Sequence, residues 1–185
     1  MLRWEILGTV FSSSPEGSAP MSRLDSFIRR MLAQRACLNW AAEAVADIAG
    51  PLLELGLGNG RTYDHLRELL PERDIYVFER EIRAHALSLP PERYLILGDI
   101  EDTLISAVSL LPAKAALAHV DLGTSDAGAY EAIALRIGRL LKPLMKPDGI
   151  IVSNVCLRVS ELISLDTPDG VKPGRYYIYR VSAAR

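Results

Sequence analysis

The sequence has few cysteines, and its positive and negative charges nearly balance. Each of these two features excludes a class of protein. Its 185 residues include two cysteines, Cys37 and Cys156, in unrelated segments with no C-x-x-C spacing. We therefore expect neither a disulfide framework nor a zinc site, and a reducing, cytoplasmic compartment is the natural one. The formal net charge is −2, from 21 basic and 23 acidic residues. This excludes the basic surface with which proteins track nucleic acid.

Long apolar runs are also missing. No run approaches the roughly 18 residues that a membrane-spanning helix needs, and residues 1–10 carry too little positive charge for a secretory signal. Residues 12–20 are rich in serine, proline and glycine and predict a linker. We expect residues 1–20 to be a loosely attached arm, or sequence from upstream of the true start. Residues 21–185 suit a single domain with one core, which could assemble as a homo-oligomer.

Helical spacing is present directly after the linker. Ser22 precedes Asp25 by three residues, a loose form of the capping box, and apolar residues follow at helical intervals. This pattern predicts a helix over 22–35, and the alanine-rich stretch 38–48 predicts a second helix or a bent continuation. We expect residues 21–50 to roof the active site, although they could equally form an ordinary structural layer.

From Pro51 onwards, short apolar strands alternate with helices. The predicted strands are 52–55, 75–78, 94–97, 115–121 and 149–153, and the predicted helices are 62–70, 81–87, 103–110 and 126–144. Alternation of this kind predicts parallel strands joined by crossover helices, in a doubly wound α/β sheet. The segments 162–165 and 176–181 then predict a C-terminal antiparallel hairpin. Residues 51–185 are thus expected to form a Rossmann-like core with five parallel strands and seven strands in all.

The most informative segment is the turn after the first predicted strand. It carries Gly56, Gly58 and Gly60, whereas a G-x-G-x-x-G dinucleotide fingerprint would have a glycine where this chain has Arg61. Glycines allow a ligand to lie against bare backbone. The carboxylate of Glu54, two residues before the turn, favours a ligand with cationic groups over a pyrophosphate.

A strand-borne acid followed by G-x-G-x-G resembles motif I of the class I, Rossmann-like, S-adenosylmethionine-dependent methyltransferases. Five parallel strands with a terminal hairpin are also the fold of that class. The stretch around 21–40 looks like that of a small bacterial methyltransferase family without an assigned substrate. The resemblance implies S-adenosyl-L-methionine as the cofactor.

Two further acids follow predicted strands. The resemblance implies that Glu79, after the second strand, reaches the ribose hydroxyls, although it could instead cap the next helix. Asp99, after the third strand, would accept from the adenine amine, with Ile100 packed on the ring; its alternative role is a helix N-cap. The residues expected to hold the cofactor are Glu54, Gly56, Leu57, Gly58, Gly60, Arg61, Thr62, Glu79, Arg80, Gly98, Asp99, Ile100 and Asp121.

The fourth predicted strand ends at the candidate catalytic residues. Asp121 is the best polar candidate to face the methyl group, and His119 is a second candidate that could instead be a structural histidine. One of Thr124, Ser125 and Asp126 is expected to cap the next helix. Residues expected to contact the acceptor are Arg35, Trp40 and His65.

The acceptor is expected to be a small molecule. No Asn-Pro-Pro-Tyr or Asp-Pro-Pro-Tyr string follows the fourth strand, which argues against amino-methylation of nucleobases. The acid and Asn set of the metal-dependent catechol group is incomplete, so we predict no metal, and no insertion is long enough to grip a macromolecule. We therefore expect O- or N-methylation by in-line transfer. The alternatives are a non-catalytic module that binds cofactor or protein and, less favoured, an NAD-dependent oxidoreductase.

Overall fold

The computed structural model describes residues 22–123 and 127–183, without the side chains of 127–131. The predictions for residues 1–20 and for Thr124, Ser125 and Asp126 lie outside the described residues. Within the described ranges, no helix is both long enough and apolar enough to cross a membrane.

One long helix, α1 (Arg23–Ala44), precedes the sheet. Ser22 is its N-cap, and its hydroxyl accepts from the backbone N–H of Asp25 at 3.0 Å, as the capping pattern predicts. The stretch 38–48 continues this helix to residue 44, because no glycine or proline interrupts it. The guanidinium of Arg73 then donates to the carbonyls of residues 45, 46, 48 and 50. This side chain satisfies carbonyls of the turn that joins α1 to the first strand.

The remaining elements form the predicted alternation and hairpin. They are β1 (Leu52–Leu55), α2 (Arg61–Leu69), β2 (Ile75–Glu79), β3 (Leu95–Leu97), α3 (Ile100–Leu110), β4 (Ala115–Val120), α4 (Ala127–Leu141), β5 (Met145–Ser153), β6 (Leu162–Leu165) and β7 (Tyr177–Val181). The sheet order is β3-β2-β1-β4-β5-β7-β6. β1 to β5 are parallel, and β7 is antiparallel to both β5 and β6. The predicted fold class is confirmed, and the strand order reverses between β1 and β4, where such sheets open a ligand crevice.

The helix predicted over 81–87 is wrong. Only a 3-10 turn, Ala86–Ser88, lies there, and a second one, Glu92–Tyr94, leads into β3. The backbone N–H groups of Arg80 and Glu81 donate to the Glu79 carboxylate. Leu87 is 82% exposed, so the segment has no apolar face to hold a helix against the sheet.

The sheet separates two apolar clusters. Leu53, Leu55 and Ala118 face α3 and α4, whereas Leu52 and Leu117 face α1 and α2. Alternation along each strand then places Glu54 of β1 and His119 of β4 on the α1 face, where the two residues are register partners. Two ionisable groups therefore lie inside the layer between the sheet and α1.

Candidate functional site

The glycine turn packs against the end of β4 on one side and is open on the other. A Cβ at Gly56 (φ 92°) would lie 2.5 Å from the carbonyl oxygen of Asp121, whereas a Cβ at Gly58 (φ 50°) would meet nothing within 4 Å. Gly56 is therefore required by the protein itself. Gly58 borders open space, which is what a site for a ligand on bare backbone needs.

The Glu79 carboxylate holds this turn in place. Its Oε2 accepts from the backbone N–H groups of Leu57 at 2.8 Å and Gly58 at 3.0 Å. Its Oε1 accepts from the N–H of Arg80 at 2.7 Å and more weakly from that of Glu81 at 3.4 Å. Each carboxylate oxygen has two lone pairs, so Oε1 is the oxygen with more capacity left for a ligand hydroxyl.

Asp99 follows β3 and is the N-cap of α3, where its Oδ1 accepts from the N–H of Glu101 at 3.0 Å. It also lines the same cavity as Glu79. The capping role is therefore present in the structure, and it leaves Oδ2 without a hydrogen bond among the described residues. Capping and ligand binding are compatible for this carboxylate.

These groups border a cavity of about 520 Å³ at the carboxyl ends of β1 to β4, within the usual size range of small-molecule sites. Eight of the predicted cofactor residues line it: Gly56, Gly58, Glu79, Arg80, Gly98, Asp99, Ile100 and Asp121. On the α3 and α4 side the cavity is bordered by Glu101 and Arg136, whose side chains form an ion pair at 2.8 Å. The strand-end acids are thus brought together as predicted.

A larger and more open depression of about 930 Å³ lies between α2 and the 86–94 segment. Its lining includes Arg67, Arg93 and Leu87 but no glycine of the turn and no acid at the end of β1 to β4. We place the candidate site at the strand ends, because there the backbone is bare and several carboxylates converge.

Glu54 of β1 and His119 of β4 are register partners and have no exposed surface. His119 Nδ1 is 2.9 Å from Glu54 Oε2, and the Thr62 hydroxyl donates to Glu54 Oε1. Burial acts to lower the pKa of His119, but the charge and hydrogen bond of Glu54, together with Asp121, raise that pKa above its ordinary value. Neither Glu54 nor His119 lines the cavity, so a direct role of either in binding or catalysis remains a prediction.

Asp121 is held by two side-chain amides. Gln34 of α1 donates to its Oδ2 at 2.8 Å, and Asn154, just after β5, donates to its Oδ1 at 2.9 Å. Within the described ranges, no lysine, arginine or histidine lies within 4.0 Å of this carboxylate. Asp121 therefore presents an oriented carboxylate to the cavity, and no described side chain forms an ion pair with it.

The residues predicted for acceptor binding lie away from the cavity. Arg35 is exposed on α1 and Trp40 packs half-buried against the core. His65 Nε2 is 2.7 Å from Oδ1 of Asn39 and so ties α2 to α1. Burial lowers the pKa of His65. Leu57, Gly60, Arg61 and Thr62 likewise do not line the cavity, although the Leu57 N–H helps to fix the turn.

Sequence reasoning missed Gln34, Asn154 and Tyr176. Asn154 had a usable signal, since it follows a predicted parallel strand and such positions reach the ligand crevice. Gln34 is only 4% exposed, but a glutamine within a helix gives no sign of burial. Tyr176 adjoins the last strand, and only the sheet order brings it beside β4.

The family model described as S-adenosyl-L-methionine methyltransferase matches residues 21–181. The S-adenosyl-L-methionine methyl transferase from Silicibacter pomeroyi DSS-3 is 45% identical, with a TM-score of 0.83 over 88% of this chain and 100% of its own. No curated protein matches the chain.

More distant structures share the fold alone. Human methyltransferase-like protein 13, solved with SAH, is 13% identical, with a TM-score of 0.54 over 85% of this chain and 82% of its own. The N-methyltransferase NodS from Bradyrhizobium japonicum WM9 is 12% identical, with a TM-score of 0.51 over 85% of this chain and 97% of its own.

Proposed function

The chain belongs to the S-adenosyl-L-methionine methyltransferase family, and we propose that it methylates a small-molecule oxygen or nitrogen acceptor by in-line transfer. Family membership rests on the match over residues 21–181 and on the 45% identical relative. The class of acceptor and the catalytic residues are inferred from the site. The observation that supports the proposal most strongly is the Asp121 carboxylate, which two amides orient at the edge of the strand-end cavity.

The cavity fits the cofactor in shape and in polarity. The open side of Gly58 leaves room for a ligand against the backbone, while Glu79 and Asp99 each keep acceptor capacity for hydroxyl or amino donors. We place the ribose beside Glu79 and the adenine between Asp99 and Ile100. When bound, S-adenosyl-L-methionine supplies a methyl group on a positively charged sulfur.

Asp121 would then act next to the transferred methyl group. The two amides of Gln34 and Asn154 orient its carboxylate before any ligand arrives. Alignment of donor and acceptor can lower a barrier by about 7 to 11 kcal/mol. A general base adds about 10² to 10⁴ in rate for an acceptor that carries a proton, and we assign that role to Asp121.

Labelled-methyl transfer tests the proposal. The purified protein is incubated with S-adenosyl-L-methionine labelled in the methyl group and a low-molecular-mass metabolite extract. We expect labelled small molecules from the wild type and, in Asp121→Asn, transfer lower by about 10² to 10⁴ with SAH binding retained. Asp102→Asn, an exposed position on α3, is the matched control and should transfer normally. Binding of SAH without transfer to any extract component would instead favour the non-catalytic module.

A further inference from the structure

Two buried polar side chains lie close enough to Asp121 to interact with its charge. His119 and Tyr176 are at most 1% exposed, and their rings stack with centroids 6.2 Å apart and planes 10° from parallel. Among the described residues, Nε2 of His119 has no hydrogen bond. Burial raises the pKa of Tyr176, and a hydrogen bond with the Gln34 side chain acts to lower it. An unpaired buried polar atom is costly to the fold, so His119 Nε2 is a group that a ligand could satisfy.

The residues around these atoms converge from three elements. Gln34 reaches in from α1 to bond Asp121, and Asp121 directly follows β4, two residues after His119. Asp121 acts electrostatically on His119 and on Tyr176. We call Gln34, His119, Asp121 and Tyr176 the α1-side polar cluster. It adjoins the cofactor cavity at Asp121 and extends from there toward α1.

Together with Glu54, the α1-side polar cluster carries more negative than positive charge. Asp121 has no cation within 4.0 Å among the described side chains. His119 is matched by Glu54, so that pair carries a net charge of zero or −1. Arg30 acts on Tyr176, but this arginine is exposed, with its guanidinium 6.0 Å from the centre of the Phe27 ring. The polar atoms around Asp121, where we place the methyl group of the cofactor, therefore favour a positively charged ligand group.

Building on the proposed function, we propose that the methyl acceptor is an amine whose nitrogen binds in the α1-side polar cluster. Nitrogen gains positive charge as it is methylated, which the Asp121 carboxylate stabilises. An oxygen acceptor would instead have to give its proton to that carboxylate, which removes the negative charge at Asp121. An ionised Asp121 with no ion-pair partner among the described side chains therefore favours a nitrogen acceptor.

The chemical step balances without a further reactant. The amine enters as the free base and donates an N–H to the ionised Asp121 carboxylate. Its lone pair forms the N–C bond to the methyl carbon while the C–S bond breaks, and the electron pair of that bond stays on sulfur. The product is a methylammonium ion beside the Asp121 carboxylate, and its extra proton then passes through Asp121 to water.

Gln34 occupies the position that the amine would take. Its amide N–H lies 2.8 Å from Asp121 Oδ2, which is where an N–H of the acceptor would donate. The segment of α1 just before it is poorly packed, since Leu24 is 66% and Leu32 51% exposed. A small displacement of this part of α1 would withdraw Gln34 and open Tyr176 and His119 to the acceptor.

The atom that receives the methyl group decides the proposal. Wild-type protein is incubated with S-adenosyl-L-methionine carrying a ¹³C-methyl group and a metabolite extract, and the product is analysed by ¹³C NMR, which separates N-methyl from O-methyl and S-methyl carbons. We expect an N-methyl product, and its loss when the amines of the extract are first acetylated. An O-methyl or S-methyl product would overturn the amine assignment and leave the proposed function standing. Absence of any methyl product would contradict both.

A pair of tyrosine variants tests the cluster itself. Tyr176→Phe removes the hydroxyl beside Gln34 and keeps the ring, and Tyr177→Phe removes the hydroxyl of its half-buried neighbour. For Tyr176→Phe we expect unchanged SAH binding and kcat/KM for the extract acceptor about tenfold lower. Tyr177→Phe should leave transfer unchanged. Unaltered transfer by Tyr176→Phe would show that the hydroxyl does not contact the acceptor and would overturn its role.

Discussion

The cofactor cavity and the α1-side polar cluster meet at Asp121 but are built in different ways. The cavity is made by backbone and loop residues at the ends of neighbouring strands, such as Gly58, Glu79 and Asp99. The cluster is made by side chains from α1, β4 and the start of β7, packed inside the protein. The difference indicates a division of roles, in which the strand ends bind the donor common to the family and the packed layer selects the acceptor.

The largest expected effect is the loss of SAH binding when a side chain is added at Gly58 of the glycine turn. A side chain at Gly56 should instead disturb the packing of the protein itself. Gly58→Val projects into open space, so we expect a folded protein, at a cost of about 1 to 2 kcal/mol for the left-handed backbone, with no measurable SAH binding. Gly56→Val would drive a side chain into the carbonyl oxygen of Asp121 and should prevent folding. Calorimetry and circular dichroism of the two variants check this. SAH binding by folded Gly58→Val would show that the cofactor does not cross this face of the turn.

A smaller effect is expected at Glu79. Glu79→Ala removes a carboxylate that holds the N–H groups of Leu57 and Gly58. Hydrogen bonds to a charged group contribute about 1.5 to 3 kcal/mol, so SAH affinity measured by calorimetry should fall about 10- to 100-fold. Glu81→Ala, which removes an exposed partner of Arg83, is the control. Equal affinity of the two variants would show that Glu79 neither binds the cofactor nor organises the turn for it.

His119 and His65 should contribute to the stability of the fold with opposite dependence on pH. The pKa of His119 is raised from 6.5, so its ion pair stabilises the fold fully below about pH 6.5 and loses this contribution as the pH rises through the raised value. The pKa of His65 is lowered from 6.5 by burial, so its contribution falls as the pH drops below about 6.5. Urea unfolding of wild type, His119→Gln and His65→Gln across pH measures both trends. Parallel pH profiles for all three proteins would contradict the assignment.

The smallest effect is expected for removal of residues 1–20. The cavity is lined by residues between 56 and 136, and the family match begins at residue 21. SAH affinity measured by calorimetry should therefore be unchanged. Weaker binding by the shortened protein would show that the N-terminal segment takes part in the cofactor site.

Local sequence patterns predicted most of the cavity that we assign to the methyl donor. The period of the apolar residues indicated five parallel strands and the hairpin, because strands buried on both faces are short and apolar. Parallel strands bring their carboxyl ends to one edge, so the acids that follow them had to meet there. The helix expected over 81–87 failed because the segment has too few apolar side chains to pack it against the sheet, as the 82% exposure of Leu87 shows.

What the sequence determined by itself was therefore the sheet, the glycine turn and the order of the acids along the crevice, all of which depend on short-range spacing. The tertiary structure alone decided that Glu54 pairs with His119 across two strands and that Gln34 and Asn154 hold Asp121. These contacts join residues far apart in the chain, and they depend on sheet register and on the packing of α1. No local periodicity encodes such contacts, because burial and charge compensation arise only when distant elements close over one another.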